Sequence, residues 1–223
     1  MAVDFWYRVG KGLARLMMPT FGHIEVEGRE NVPPHGPLIF AANHQSNADP
    51  PLIVHASPRP VWFMAKRGLF AWAVPRYFLR NLHAFPVDRD GRDLDALAWA
   101  LEALRQDKAL LIFPEGTRSP RALREPLSDG LAYLALKSGA PIVPVGITGT
   151  ERVPGFIRIA FPLTRMRVRF GQAFTLPHVE GRLPRAVLHS YTNEIMERIA
   201  ALLPKDYRGS YATTTNHGGT KST

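Results

Sequence analysis

Cysteine is absent from the 223 residues of this chain. That absence excludes a disulfide framework, a thiolate metal site and a cysteine nucleophile, and it fits a reducing compartment. The chain also lacks the run of ~18 apolar residues that a bilayer span needs, so we expect no transmembrane helix. No long apolar segment or small-residue cleavage site marks the N-terminus, and we therefore expect no secretory signal.

Acidic side chains are also in short supply. The chain has 28 Lys and Arg against 19 Asp and Glu, for a formal net charge of +9. Such an excess indicates an anionic partner, which can be nucleic acid, an anionic membrane surface or a phosphorylated substrate. The basic residues are dispersed and no nucleic-acid motif is present, so nucleic acid is not expected. A generally basic surface without a dedicated partner is the alternative.

The N-terminal stretch DFWYRVGKGLARLMM, residues 4–18, has the pattern of an amphipathic helix. Apolar residues recur at spacings of three or four, and basic residues interleave with them: Arg8, Lys11 and Arg15. This pattern is typical of a helix that lies in a membrane interface, and we predict that role for residues 1–20. A helix that docks on its own core would show the same periodicity, so the sequence alone does not separate the two.

The rest of the chain alternates short apolar strands with helices, which predicts one α/β domain over residues 21–207. We expect the sheet to be largely parallel with helices on both faces, followed by a polar, disordered tail at 208–223. The predicted strands are 23–28, 37–43, 60–66, 82–87, 109–113, 141–147 and 165–171, and the helices are 50–56, 93–106, 128–140 and 183–203.

Three polar clusters follow predicted strands: NHQSNAD at 43–49, DRD at 88–90 and PEGTRS at 114–119. Sites in parallel α/β sheets collect beyond the carboxyl ends of the strands. The first cluster holds His44 and Asp49, which would diverge by ~140° on a continuous helix. Across a strand-to-helix turn, Asp49 can instead accept a hydrogen bond from one imidazole nitrogen and leave the other as a base. The alternative is that Asp49, followed by Pro50, only caps a helix.

The sequence offers no protein nucleophile to accompany this base. It contains no G-x-S-x-G elbow, and nothing marks Ser46 as activated. The histidine is therefore expected to deprotonate a hydroxyl of the substrate. No cluster has the spacing of metal ligands, so no metal is expected.

The third cluster suits an anionic ligand. Gly116 lets backbone approach a ligand closely, Thr117 offers a hydroxyl, and Arg118 offers a planar fork that matches phosphate. Glu115 needs a partner there, either Arg118 or a substrate hydroxyl. Arg89 in the second cluster is another candidate phosphate ligand. The alternatives are a solvated type I turn and a surface Asp–Arg pair.

Four blocks together resemble the glycerolipid acyltransferase family, whose best-known members are 1-acylglycerol-3-phosphate acyltransferases. They are NHQSNAD with its His-x4-Asp spacing, FPVDRD, FPEGTRS and PIVPVGI, in this order, and the resemblance covers residues 20–175. It implies an α/β domain with a mixed sheet, preceded by membrane-binding helices. It also implies that His44 is the catalytic base and Asp49 the acid that orients it.

The resemblance implies roles for the other blocks as well. Arg89 would bind the acceptor phosphate, and Pro144 lies in the block associated with the acyl chain or donor. The third block would shape the acceptor site: Glu115, Gly116, Thr117 and Arg118. One departure is Asp129 before Gly130, where members often carry a lysine, so one cationic contact to the acceptor would be missing.

The implied reaction transfers an acyl group from acyl-CoA or acyl carrier protein to the hydroxyl of 1-acylglycerol-3-phosphate, giving phosphatidic acid. We expect no cofactor, a peripheral location on the cytoplasmic face of the cell membrane, and an acyl carrier protein as a further candidate partner. One alternative is a different acceptor, such as another lysophospholipid or an ornithine lipid or lipid A intermediate. The other is a membrane-binding module without activity.

Overall fold

The structure is a computed structural model that describes residues 2–71, 73–88, 93–119, 122–123, 128–153, 159 and 161–212. Its strands are β1 His23–Glu27, β2 Leu38–Ala42, β3 Val61–Lys66, β4 Ala84–Val87, β5 Ala109–Ile112, β6 Ile142–Thr148 and β7 Arg165–Phe170. The helices are α1 Ala2–Phe21, α2 Asp49–Ala56, α3 Ala73–Asn81, α4 Leu94–Arg105, α5 Gly130–Ser138 and α6 Arg185–Ala201. Every predicted strand and helix of the α/β domain is therefore present.

The seven strands form one sheet in the order β1-β7-β6-β2-β5-β3-β4. All neighbours are parallel except β6 and β7, which confirms the predicted mixed, largely parallel sheet. The carboxyl ends of β2 to β6 therefore share one edge. Because β7 runs against β6 and β1 runs with β7, the amino ends of β1 and β7 lie at that same edge. We call it the carboxyl edge of the sheet.

Helices cover both faces of the sheet, as a buried parallel sheet requires. On one face α1 and α2 contribute to a core with Phe40, Phe63 and Val145. On the other face α4, α5 and α6 pack against Ile39 and Leu110. The central strand β2 is buried along its whole length, which accounts for its apolar sequence LIFAA.

Helix α1 is docked on this core along one side. The Tyr7 ring is buried, stacks on His83 at 4.3 Å between ring centroids, and its hydroxyl accepts a hydrogen bond from the Val61 N–H at 2.9 Å. Lys11, which the sequence pattern placed on a basic face, instead donates to the Ser57 carbonyl at 3.0 Å. Burial, followed by the charges of two nearby arginines, lowers the pKa of Lys11 to about 8. The core-docking alternative is therefore right for this side of α1.

The other side of α1 carries exposed apolar residues. Phe5 is 59% exposed and Leu16 is 67% exposed, and the exposed arginines Arg8 and Arg15 flank them. Within the described ranges, no helix is long and apolar enough to cross a bilayer. One helix thus combines a docked side with an apolar and basic outer side.

The last described residues pack against α6. Residues Gly209–Tyr211 form a 3-10 turn, and the buried Tyr211 donates a hydrogen bond to the Asn193 side chain of α6 at 3.0 Å. The Tyr211 ring thus packs onto α6. Residues 213–223 lie outside the described residues.

Candidate active site

His44 and Asp49 are held together in the loop between β2 and α2. The imidazole Nδ1 lies 2.7 Å from Asp49 Oδ2, and both side chains are buried. The same carboxylate oxygen accepts the backbone N–H groups of Gln45 at 2.6 Å and Ser46 at 2.8 Å. An ionised carboxylate only accepts, so in a neutral imidazole paired with it Nδ1 carries the proton and Nε2 keeps its lone pair. The turn geometry expected from the sequence is present.

The loop is fixed by side chains on both sides of the histidine. The Asn43 amide donates to the Ile147 carbonyl at 2.9 Å and accepts the Ile147 N–H at 2.7 Å, so it continues the pairing of β2 with β6. The Ser46 hydroxyl donates to the Val153 carbonyl at 3.1 Å. Ser46 is thus a structural residue of the turn, and it is not placed as a nucleophile.

The third cluster meets the first because β2 and β5 are neighbours in the sheet. The His44 N–H donates to Glu115 Oε1 at 2.9 Å, and the His44 carbonyl accepts the Ser119 N–H at 2.6 Å. The ring of Phe113, the residue after β5, stacks on the imidazole at 4.1 Å. Glu115 is buried, and its contact is to the histidine backbone, which the sequence did not indicate.

Three residues of the third cluster are open to solvent: Gly116, Thr117 and Arg118. Gly116 has φ +63°, a left-handed conformation that favours glycine at this turn. Thr117 and Arg118 are exposed, and within the part of the chain that the structure describes Arg118 has no hydrogen-bond or ion-pair partner. Lys66 ends β3 at the same edge and is likewise exposed and unpaired among the described residues. Arg89 lies outside the described residues, although β4 before it ends at this edge.

A cavity of about 1060 Å³ opens beside His44. Its floor is the end of β5, and its walls are α4, α5, the segment 181–184, and Arg185 and Leu188 at the start of α6. The lining is mainly apolar, with Met64, Leu97, Leu111, Phe113, Leu131, Leu134, Leu183 and Leu188 among its residues. A site of this size and character suits the hydrocarbon part of a lipid or acyl thioester.

Charged side chains stand around the rim of this cavity. Asp129, at the start of α5, lies 3.7 Å from Arg185 and 3.8 Å from His189, both on α6. The Lys137 ammonium donates to the carbonyls of Val179 and Gly181 and so ties the segment before α6 to α5. The sequence did not indicate this wall, because it lies outside the four blocks and carries no motif.

A second set of contacts connects the histidine loop with the C-terminal segment. With its amide nitrogen turned towards the acceptors, Gln45 donates to Glu151 Oε2 at 3.3 Å. The Tyr207 hydroxyl donates to Glu151 Oε1 at 3.0 Å. Burial, and then the Glu151 hydrogen bond, raise the pKa of Tyr207. Residues beyond the four blocks therefore support the loop that carries His44.

In the portion of the chain that the structure describes, no three His, Asp or Glu side chains are grouped so that they could hold a metal ion. Among the described residues, this edge offers an imidazole, exposed cationic side chains and an apolar cavity.

Comparison with known proteins gives a consistent result. A family model described as Acyltransferase matches residues 23–148, more than half of the chain. A 1-acyl-sn-glycerol-3-phosphate acyltransferase from Bacillus subtilis is 29% identical over 64% of this chain and 71% of its own length. A protein of the same description from Pseudomonas aeruginosa is 30% identical over 83% of this chain and 70% of its own length. The chain spans less than half of the chloroplastic relatives that it also matches.

A solved structure shares both fold and sequence. The crystal structure of the 1-acyl-sn-glycerophosphate acyltransferase PlsC from Thermotoga maritima superposes with a TM-score of 0.63 at 28% identity. The match covers 86% of this chain and 76% of that one. The family match, the relatives and the shared fold agree with the four blocks read in the sequence. The chain belongs to the acyltransferase family and is an acyltransferase.

Proposed function

We propose that the protein transfers a fatty acyl group from an acyl thioester to the free hydroxyl of 1-acylglycerol-3-phosphate, giving phosphatidic acid. The observation that carries this proposal is the buried His44–Asp49 pair, with Nδ1 held by the carboxylate and the histidine at the wall of an apolar cavity. The relatives from Bacillus subtilis and Pseudomonas aeruginosa are named for the same acceptor.

In the proposed step His44 acts as the general base and Asp49 orients it. Nε2 takes the proton of the acceptor hydroxyl while its oxygen attacks the thioester carbonyl. The tetrahedral intermediate then collapses, the carbon–sulfur bond breaks, and the leaving thiolate takes the proton from the imidazolium. A thioester is already activated, so the proposal needs neither a cofactor nor a covalent enzyme intermediate. General base catalysis of this kind contributes about 10²–10⁴ in rate.

The acceptor headgroup would lie at the carboxyl edge, beside the free cations. Arg118 offers a bidentate contact to phosphate, and Lys66 offers a point charge. Gly116 allows the ligand to approach the backbone. Arg89 remains a proposed phosphate ligand at the end of β4. Glu115 would act indirectly, by holding the His44 backbone in place.

The location proposed is peripheral, on the cytoplasmic face of the cell membrane. The exposed Phe5 and Leu16 on α1, with Arg8 and Arg15 beside them, support contact with an anionic interface. Deleting residues 1–20 would not test this cleanly, because Tyr7 and Lys11 are bonded to the core. Replacing Leu16 with asparagine removes exposed apolar surface and leaves those contacts intact.

The direct test is an assay with labelled acyl-CoA or acyl carrier protein and 1-acylglycerol-3-phosphate, read out by lipid mass spectrometry. We expect phosphatidic acid from the wild-type protein and none above background from His44→Ala. Product formation by a folded His44→Ala protein would rule out this mechanism. Running both donors side by side identifies the carrier.

A second acceptor class is favoured by Asp129. A carboxylate at the cavity rim, where Arg185 and His189 approach it, would suit a headgroup that carries an amine as well as an anion. Amine-bearing lysolipids, such as an ornithine lipid precursor, therefore belong in the same acceptor panel. Higher kcat/KM on such a lipid than on lysophosphatidate would assign the second class.

A further inference from the structure

Three exposed apolar side chains meet where α1 ends and β7 begins. Phe21 is 37% exposed, Phe161 is 40% exposed and Leu163 is 64% exposed. The rings of Phe21 and Phe161 touch edge-to-face with centroids 4.6 Å apart, and the Leu163 N–H donates to the Phe21 carbonyl at 2.8 Å. We call these three residues the edge cluster. Exposed apolar residues that adjoin one another mark interaction sites more often than scattered ones do.

The backbone of Leu163 is unfavourable for its side chain. Its φ is +48°, in the left-handed region where glycine and asparagine are the usual residues. Packing does not compensate for this, because about two thirds of the leucine is exposed to solvent, as its 64% exposure shows. The fold therefore gains little from leucine at this position. A strained residue that the core does not explain points to a role outside the core.

The edge cluster lies at the carboxyl edge of the sheet, where His44 also lies. Arg167 of β7 pairs with Thr148, the last residue of β6, so residues 161–165 extend past the carboxyl end of β6. Strand β7 is two strands away from β2. Neighbouring strands are about 4.8 Å apart, which puts the start of β7 about 10 Å to the side of the strand that leads into His44.

Positive charge is left unbalanced at this same end. Two arginines of β7 face carboxylates of β1, since Arg167 pairs with Glu25 and Arg169 pairs with Glu27. The third, Arg165, lies opposite His23 in the register. It is exposed, and it has no carboxylate partner among the described residues. The charges of Arg167 and Arg169 are therefore neutralised by β1. Arg165, which lies next to the edge cluster, keeps an unbalanced positive charge.

We propose that the edge cluster is a membrane-contact site that inserts into an anionic bilayer surface and sets the carboxyl edge against the lipid. The inference rests on the proposed function, in which the acceptor is a membrane lipid. Apolar side chains flanked by an arginine match the boundary between acyl chains and anionic headgroups. In this orientation the acceptor leaves the bilayer beside the cavity that His44 lines.

Leu163→Asn separates membrane binding from folding. Asparagine tolerates the left-handed backbone, so the melting temperature should stay the same or rise. The loss of one inserted leucine should weaken binding to vesicles of equal parts phosphatidylglycerol and phosphatidylcholine by about tenfold in a flotation assay. Val187→Asn is the matched control. It removes a 37% exposed valine from α6, on the other face of the sheet, and should leave binding unchanged.

Arg165→Gln tests the charge. Binding to the mixed vesicles should fall about fivefold, and binding to pure phosphatidylcholine vesicles should not change. Wild-type binding by Leu163→Asn would overturn the proposal, and so would a lowered melting temperature, which would show that packing holds the leucine. Flotation requires no acyl transfer, so it decides this proposal even if lysophosphatidate proves not to be the acceptor. If the proposal holds, Leu163→Asn should acylate a water-soluble short-chain acceptor at the wild-type rate.

Discussion

The backbone N–H of His44 donates a hydrogen bond to the buried carboxylate of Glu115 at 2.9 Å. Glu115 belongs to the cluster that follows β5, and His44 belongs to the cluster that follows the neighbouring strand β2. This bond joins the two clusters and fixes the height of the histidine above the sheet. The Glu115 carboxylate thus positions the backbone of the residue that we propose as the base.

Glu115→Ala should therefore impair both stability and catalysis. It leaves the buried His44 N–H without an acceptor, at a cost of about 1–3 kcal/mol in the free energy of unfolding. Glu115→Gln keeps an amide oxygen that can accept the same bond and should retain more stability and more kcat. Urea unfolding and steady-state kinetics on the two variants measure this. Equal effects from the two substitutions would mean that the carboxylate charge itself is needed.

Asp49→Asn should abolish most activity while the protein stays folded. The asparagine amide can donate towards Nδ1 and favour the other tautomer, in which Nε2 carries the proton and cannot accept one. We expect kcat to fall by about 10²–10⁴. Circular dichroism before and after the substitution serves as the folding control. Near-normal kcat in Asp49→Asn would remove this residue from the mechanism.

Arg118→Ala should weaken acceptor binding without a matching loss of kcat. One charge-assisted hydrogen bond to phosphate is worth about 1.5–3 kcal/mol, so KM for 1-acylglycerol-3-phosphate should rise about 10–100-fold. KM for a monoacylglycerol, which has no phosphate, should not change. The control is Arg105→Ala at the end of α4, where the side chain is 79% exposed and pairs with Glu102. A similar rise in KM for both acceptors would place Arg118 away from the phosphate.

Lys11 gives the stability of the protein a dependence on pH. Its pKa is about 8 in the folded protein and near 10.5 ordinarily, with burial as the main cause. Between these values the unfolded chain binds the proton and the folded protein does not, so this group makes the free energy of unfolding rise with pH from about 8 to 10.5. Below that window Lys11 is charged in both states, and burial of its ammonium lowers the free energy of unfolding by an amount that does not vary with pH.

Lys11→Met removes this titration. The difference in free energy of unfolding between the wild type and the variant should shift in favour of the wild type as pH rises through the window. Taking the difference cancels the contributions of other titratable groups. Tyr207 is one of them, and its raised pKa lowers the free energy of unfolding at alkaline pH. Chemical denaturation at several pH values measures it. A difference that does not vary with pH would show that Lys11 stays charged in the folded protein.

Much of the architecture followed from local patterns. Apolar runs of strand length, separated by periodic helices, predicted the α/β sheet, because burial on both faces leaves a clear mark in the sequence. The polar residues after β2 and β5 predicted a site at the carboxyl edge, since the ends of parallel strands meet there. The five-residue interval between His44 and Asp49 predicted a turn, because no single helical face holds both.

Other features were decided only by the tertiary structure. The bond between Glu115 and the His44 backbone could not be predicted from the sequence, because it depends on β2 and β5 being neighbours in the sheet. Helix α1 was open to two interpretations, and the fold uses both: Tyr7 and Lys11 face the core, and Phe5 and Leu16 face solvent. The spacing of apolar residues shows that one face of a helix is apolar, but it does not show what packs against that face.

The sequence by itself determined which chemistry this protein can offer and at which strand ends its reactive groups stand. Those properties depend on residue type and on local backbone geometry, which neighbours along the chain dictate. The tertiary structure decided which groups meet: Glu115 with His44, Asp129 with Arg185, and Phe21 with Phe161 and Leu163. Such contacts join residues tens to more than a hundred positions apart, and strand order and helix packing alone bring them together.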